Sequence, residues 1–248
     1  MRIRSITAFM NPGWPVDPTL MRQAGAFLKS ARQALTGAGF EVESTRLATP
    51  PFPSILGASR LSQAVDFAQA IEAAIDQEDI EYASVGPALP TSLDSYAAIP
   101  EMLHATSRVF ASGAMTTPSH ALSFPAVQAC ARVIHQAAGI SPDGFGNLRF
   151  TALGNVPPGS PFFPAAYSPS DDLAFAIATE SADLAIEALS LSATLAQARQ
   201  RLVSRIEGAS ASLAQTALEL SQQFDARFIG IDFTLAPYPQ QDRSLGEA

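Results

Sequence analysis

"IRSITAFMNPGWPVDPTL" (Ile3–Leu20) carries the local signals that set the fold class. Its first part, Ile3–Met10, is short and rich in β-forming residues, and it breaks at Asn11-Pro12-Gly13, so it reads as a strand. Asp17-Pro18 then supplies an N-cap followed by proline at the first helical position. Leu20, Ala24, Phe27, Leu28, Ala31 and Leu35 recur at the helical period, and Gly37 and Gly39 stop the helix. A strand that runs through a turn into a capped amphipathic helix is the opening of an α/β fold.

The alternation continues along the chain. Phe40–Ala48 reads as a strand, followed by a helix with Leu61, Val65, Ala68, Ile71 and Ile75 on one face. Ile80–Gly86, Ser107–Met115, Leu148–Val156 and Leu173–Thr179 are further strands. Helices near Tyr96–Thr106 and Pro125–Ala138 separate some of them, and Ser181 is placed to cap a short helix. A long helix, Leu195–Phe224, precedes a seventh strand, Arg227–Pro237. Alternation of this kind implies parallel pairing through right-handed crossovers, with helices covering apolar strands. The stripe of Leu195, Leu202, Ile206, Ala209, Leu213, Ala217, Leu220 and Phe224 covers a sheet or forms a dimer seam, so a homo-oligomer through this helix is one expectation.

Composition narrows the partners. The chain of 248 residues is 47% hydrophobic and carries a net charge of −8, an ordinary globular balance. Its basic residues are scattered, and only Lys29 is a lysine, so neither nucleic acid nor an anionic membrane is expected as a partner. Cys130 is the only cysteine, which excludes an internal disulfide and a cysteine-only zinc site. No apolar run reaches the roughly 18 residues that a membrane span requires. The expectation is a soluble, cytoplasmic protein in one α/β domain.

No common catalytic motif is present, and "GFGN" (Gly144–Asn147) precedes a strand, which makes it a turn. His104, His120 and His135 lack metal-ligand spacing, so no metal is expected and any cofactor is unknown; His120 alone follows a strand where ligands usually bind. Cys130 falls in an apolar helix and reads as a small buried hydrophobe. Ligands of parallel α/β folds bind at the C-terminal ends of strands. The candidates there are Asn11, Arg46, Ser112, Asn155 and Asp232, with Thr45, Gly113 and Glu180 beside them. Arg46 and Asp232 lie in apolar strands, where an unpaired charge is costly; they form structural salt bridges, one option being with each other, or hold a carboxylate or cation ligand.

"NVPPGSPFFPAAYSPS" (Asn155–Ser170) is either a linker or an ordered loop. Its prolines reduce the entropy lost on ordering, and Phe162, Phe163 and Tyr167 are poor linker residues. It reads as a wall or plug over the C-terminal mouth of the strands, supplying the apolar side of a small-molecule site.

Five segments in order, "IRSITAFM", "FEVESTRLATPPFP", "NLRFTALGNVPPGSPFFPAAY", "FAIATESADLAIEA" and "FIGIDFTLAPYP", resemble the family called domain of unknown function 711, or uncharacterised protein family 0210. The resemblance implies a fold similar to the ten-stranded α/β barrel of pyruvate formate-lyase-like glycyl radical enzymes, two five-stranded parallel halves with a hairpin loop inside. Members of the family are typically much longer, and "QQDRSLGEA" (Gln240–Ala248) starts a loop-to-helix transition, so an incomplete barrel, truncated at its C-terminus, is expected. The resemblance implies no reaction. A radical enzyme places a cysteine at the tip of its inner loop, whereas Cys130 belongs to an outer helix, which disfavours radical chemistry. Three functions remain open: an enzyme or former enzyme with a site at the strand mouth, a non-catalytic protein that binds a metabolite or cation there, and an assembly component.

Overall fold

A computed structural model describes residues 2–235. The strands are β1 (Arg2–Phe9), β2 (Val42–Ala48), β3 (Tyr82–Ala88), β4 (Val109–Ala114), β5 (Phe150–Leu153), β6 (Ala174–Glu180) and β7 (Arg227–Thr234). The helices are α1 (Pro18–Gly37), α2 (Phe52–Leu56), α3 (Ala64–Gln77), α4 (Asp94–His104), α5 (Phe124–Ala137), α6 (Phe145–Leu148), α7 (Ala182–Ser190) and α8 (Leu195–Phe224), with a 3₁₀ segment at Ala58–Gln63. The expected strand end at Pro237 and the helix start within Gln240–Ala248 lie outside the described residues.

Local chemistry explains most of these elements. Asp17 accepts a hydrogen bond from Thr19 N at 2.7 Å and Pro18 opens α1, whose buried face includes Met21, Ala24, Phe27, Leu28, Ala31 and Leu35. The expected helix over Leu61–Ile75 starts later than its apolar pattern, because Gly57 at φ +67° turns the chain and leaves a 3₁₀ segment before α3. "GFGN" forms a single helical turn, α6, that entered only as a turn. β5 ends at Leu153, short of Val156, because Asn155 adopts φ +54°. Ser181 sits at the start of α7, but its hydroxyl pairs with Thr179 Oγ1 at 2.9 Å and caps nothing.

The seven strands form one mostly parallel sheet, in the order β5-β4-β3-β2-β1-β6-β7, curled into a half-barrel. β1 to β5 are parallel, and β6 and β7 are parallel to each other, but β6 is antiparallel to β1. The expectation of mostly parallel strands with covering helices holds, and the β1–β6 pair is its antiparallel exception among the described residues. Residues 154–173 leave β5 at its C-terminal end and cross the sheet without a helix. Ser84 Oγ donates to the Ala166 carbonyl at 2.7 Å, and Ser168 N donates to the Thr49 carbonyl at 2.9 Å. β6 therefore enters opposite Phe9, at the C-terminal end of β1, and runs the other way. A parallel partner requires a return to the opposite end.

The two faces differ in chemistry. The outer face, with Ile6, Ala8, Leu47, Val85, Ala111, Phe175 and Ile177, packs under α1, α3, α4 and α5 in the main core. The inner face is built from smaller and more polar residues, including Ser5, Thr7, Ser44, Ser84 and Ser112. There a minor cluster joins Phe9, Ala48, Ala174 and Ala176 to Ala166 and Phe163 of the crossing loop. α8 divides in function: Leu213, Ala217 and Leu220 are buried, and Phe224 meets Phe27 at 5.5 Å, while the first half packs along α7. The covering role holds for the second half; Leu195, at the other end, is 83% exposed.

Candidate functional site

At the C-terminal ends of β3, β4 and β5 lies a cleft of about 320 Å³. Leu89, Pro90, Leu153, Pro158 and Tyr167 supply apolar surface, and Thr116, His120 and Asn155 supply polar groups. No Asp, Glu, Lys or Arg lines it. A mainly apolar recess with a few convergent polar groups is the common form of a small-molecule site.

Two short backbone devices set the polar groups. After β4 the chain doubles back, with a bridge between Thr116 and Leu122 and a hydrogen bond from His120 N to the Thr117 carbonyl at 2.8 Å. His120 occupies the turn at φ +64°. After β5, Asn155 takes φ +54°, and its N–H donates to Thr116 Oγ1 at 3.2 Å. Left-handed backbone is uncommon outside glycine and concentrates where function holds it. These two residues face each other: His120 Nδ1 and Asn155 Oδ1 are 3.1 Å apart. The amide oxygen can only accept, so Nδ1 carries the proton and donates. In the neutral ring with that tautomer, Nε2 keeps its lone pair and can accept a hydrogen bond. Tyr167 donates its hydroxyl to the Val156 carbonyl at 2.8 Å, and burial pushes its phenol above the ordinary range.

A second group lies on the inner face. The Arg46 guanidinium sits 5.1 Å from the Phe163 ring centroid and 6.0 Å from that of Tyr82. Phe110 packs against both rings, at 5.5 Å from Phe163 and 5.6 Å from Tyr82. Burial, and then the nearby charge of Arg4, lower the Arg46 pKa to about 10.

The expected site residues divide. Asn155 and Tyr167 meet at the mouth, whereas Arg46, Phe163 and Ser112 belong to the inner face, Ser112 with a buried hydroxyl that has no partner among the described residues. Phe162 is 49% exposed and walls nothing. Asn11 is a turn residue, with Nδ2 donating to Asp171 Oδ1 at 2.7 Å and Oδ1 accepting from Gly13 N at 2.9 Å. Asp232 is far from the mouth: it aligns with Ala178, which aligns with Ser5, because β7 follows the reversed β6. It is half-buried on an edge strand and forms no ion pair with Arg46. Glu180 lies opposite Arg2 at the same far end. Thr116 and Leu153 entered no expected site, although their positions beside strand ends were readable. The linker alternative for Asn155–Ser170 gives way to an ordered inner loop, closed on itself by Gly159 N donating to the Tyr167 carbonyl at 2.9 Å.

Among the described residues, no group of three or more His, Cys, Asp or Glu side chains is arranged to hold a metal ion, and no helix is long and apolar enough to cross a membrane. The family profile described as "Uncharacterised ACR (DUF711)" matches residues 1–248. No curated protein matches the chain.

Proposed function

We propose, from the premise that the chain belongs to the uncharacterised DUF711 family, that it binds a small neutral molecule in the cleft at the C-terminal ends of β3–β5. His120 would exchange a proton with that molecule through Nε2, and Asn155 would hold the imidazole in the required tautomer. The carrying observation is the contact of two left-handed, non-glycine residues on the lining of a mainly apolar cleft. The uncharged lining favours a neutral ligand with a hydroxyl, amide or carbonyl group beside an apolar body. Whether the proton exchange serves turnover or only recognition separates an enzyme from a binding protein, and the same site serves both readings.

The architecture of the proposal is a glycyl-radical-enzyme-like barrel. Five parallel strands, a loop on the inner face and a reversed β6 support it. The inner loop Asn155–Ser170 carries no cysteine, and Cys130 is buried against Gly113 on the outer side, so proton chemistry is favoured over radical chemistry.

Thermal-shift screening of neutral metabolites tests the proposal. Hits should raise the melting temperature of the wild type, and His120→Ala or Leu153→Trp should abolish the shift. Hits that stabilise all three proteins equally refute it.

A further inference from the structure

We infer that the ligand of the mouth cleft is an alcohol, a hydroxyl on a compact apolar body, which the site prefers over the matching ketone or ether. This assignment, which rests on the binding site proposed above, follows from the hydrogen-bonding groups of the lining that are already spent.

The backbone around the cleft is poor in free donors. Pro87, Pro90, Pro118, Pro157 and Pro158 line it, and proline has no N–H. Other N–H groups are committed within the protein. Leu89 N donates to Ser95 Oγ at 3.3 Å, Thr117 N to the Ala121 carbonyl at 2.9 Å, and Asn155 N to Thr116 Oγ1 at 3.2 Å. Side chains are committed too: the Tyr167 hydroxyl donates to the Val156 carbonyl at 2.8 Å, and Thr117 Oγ1 pairs with Ser119 Oγ at 2.9 Å. Thr91 and Thr116 carry hydroxyls that donate or accept alike, so they favour neither class of ligand.

The contact between His120 and Asn155 decides the class. It spends the imidazole N–H and the amide oxygen on each other. One acceptor, His120 Nε2, and one donor group, Asn155 Nδ2, are left, and neither has a protein partner among the described residues. A ketone or ether oxygen only accepts, so it can meet Nδ2 but leaves Nε2 without a donor. A hydroxyl donates to Nε2 and keeps lone pairs for Nδ2 or a threonine. An amine would carry its charge into a lining that holds no Asp or Glu, whereas a hydroxyl stays neutral. Leu89, Leu153 and Tyr167 then take the apolar body.

Matched probes on the full chain test this: cyclohexanol, cyclohexanone, methoxycyclohexane and cyclohexanecarboxamide. They are titrated at a pH where the imidazole is neutral and followed by the backbone amide signals of Val156 and Tyr167 in NMR. Cyclohexanol should bind about threefold to tenfold tighter than the ketone and the ether, as one neutral hydrogen bond implies. His120→Leu, which removes the acceptor and keeps the bulk, should erase that preference. Leu153→Trp, or Leu89→Trp should the first fail to fold, fills the cleft and should abolish binding of every probe. Ketone, ether or carboxamide binding as tightly as cyclohexanol, or a preference for cyclohexanol that survives His120→Leu, overturns the alcohol assignment while the cleft site stands. Binding that survives the tryptophan variants, or no binding of any probe, removes the cleft site as well.

Discussion

Replacing Asn155 in two ways separates backbone strain from the contact with His120. Asn155 holds φ +54° and meets His120 Nδ1 through Oδ1 at 3.1 Å. A β-carbon in the left-handed region costs roughly 1–2 kcal/mol, part of which asparagine recovers through local hydrogen bonds. The exposed bond to His120 contributes about 0.5 kcal/mol, the low end for a neutral pair. Asn155→Ala loses the bond and keeps the strain, so it should be about 1–2 kcal/mol less stable than the wild type. Asn155→Gly loses the same bond but relieves the strain, so it should remain within about 0.5 kcal/mol of the wild type. Urea unfolding monitored by circular dichroism measures both, and an unchanged slope licenses reading midpoints as stability. In the ligand screen the two variants should lose the shift equally, because both lack the group that orients His120. Equal urea midpoints for Ala and Gly would refute the strain reasoning, and a ligand response retained by Gly alone would remove Asn155 from the site.

Other parts of the fold give further expectations. Arg149 is buried and donates to the carbonyls of Leu103 at 2.5 Å and Thr106 at 2.7 Å, tying the end of α4 to β5, so Arg149→Met should cost about 3–5 kcal/mol in urea unfolding; a loss below 1 kcal/mol would contradict this. Burial, and then Glu43, raise the pKa of the Glu180 carboxyl, against the pull of Arg4, Arg2 and Arg46. Its stabilising share is full below the usual carboxylate range and is lost as pH rises through the raised value. Glu180→Gln should therefore be more stable than the wild type at pH 7, with the advantage shrinking towards pH 4; an advantage that grows on acidification reverses the sign. Leu213 is buried against the chain's own core, so any interface on α8 belongs to its first half, where Leu195 and Val203 are exposed. Leu195→Glu with Val203→Glu should convert an oligomer to a monomer in light scattering without lowering stability, and a monomeric wild type rejects that interface.

The sequence made the strands and helices legible because each layer repeats one local rule, an apolar run followed by a capped amphipathic helix. Direction was less legible. Only the path between β5 and β6 reverses the sheet, and that path depends on tertiary bonds such as Ser84 Oγ to the Ala166 carbonyl. Asp232 and Glu180 were assigned to the strand mouth on the assumption of parallel pairing, and the reversal moves both to the other end. Arg46 looked like half of an ion pair, whereas its neighbours are aromatic rings contributed by β3 and by the inner loop. His120 stood out by position alone; its partner became visible only when the hairpin after β4 and the turn after β5 were brought together. The proline-rich loop reads from its composition as ordered, and its bonds to Thr49, just past β2, and to Ser84 of β3 support that reading.

The tautomer of His120 tests the central claim most directly. Long-range proton–nitrogen NMR of the imidazole at a pH where the ring is neutral distinguishes the two ring nitrogens. A protonated Nδ1, held by Asn155, is expected, with an unprotonated Nε2 whose signal moves when a cleft ligand binds. A protonated Nε2 in the wild type, or a signal indifferent to Asn155→Gly and to ligand, would contradict it.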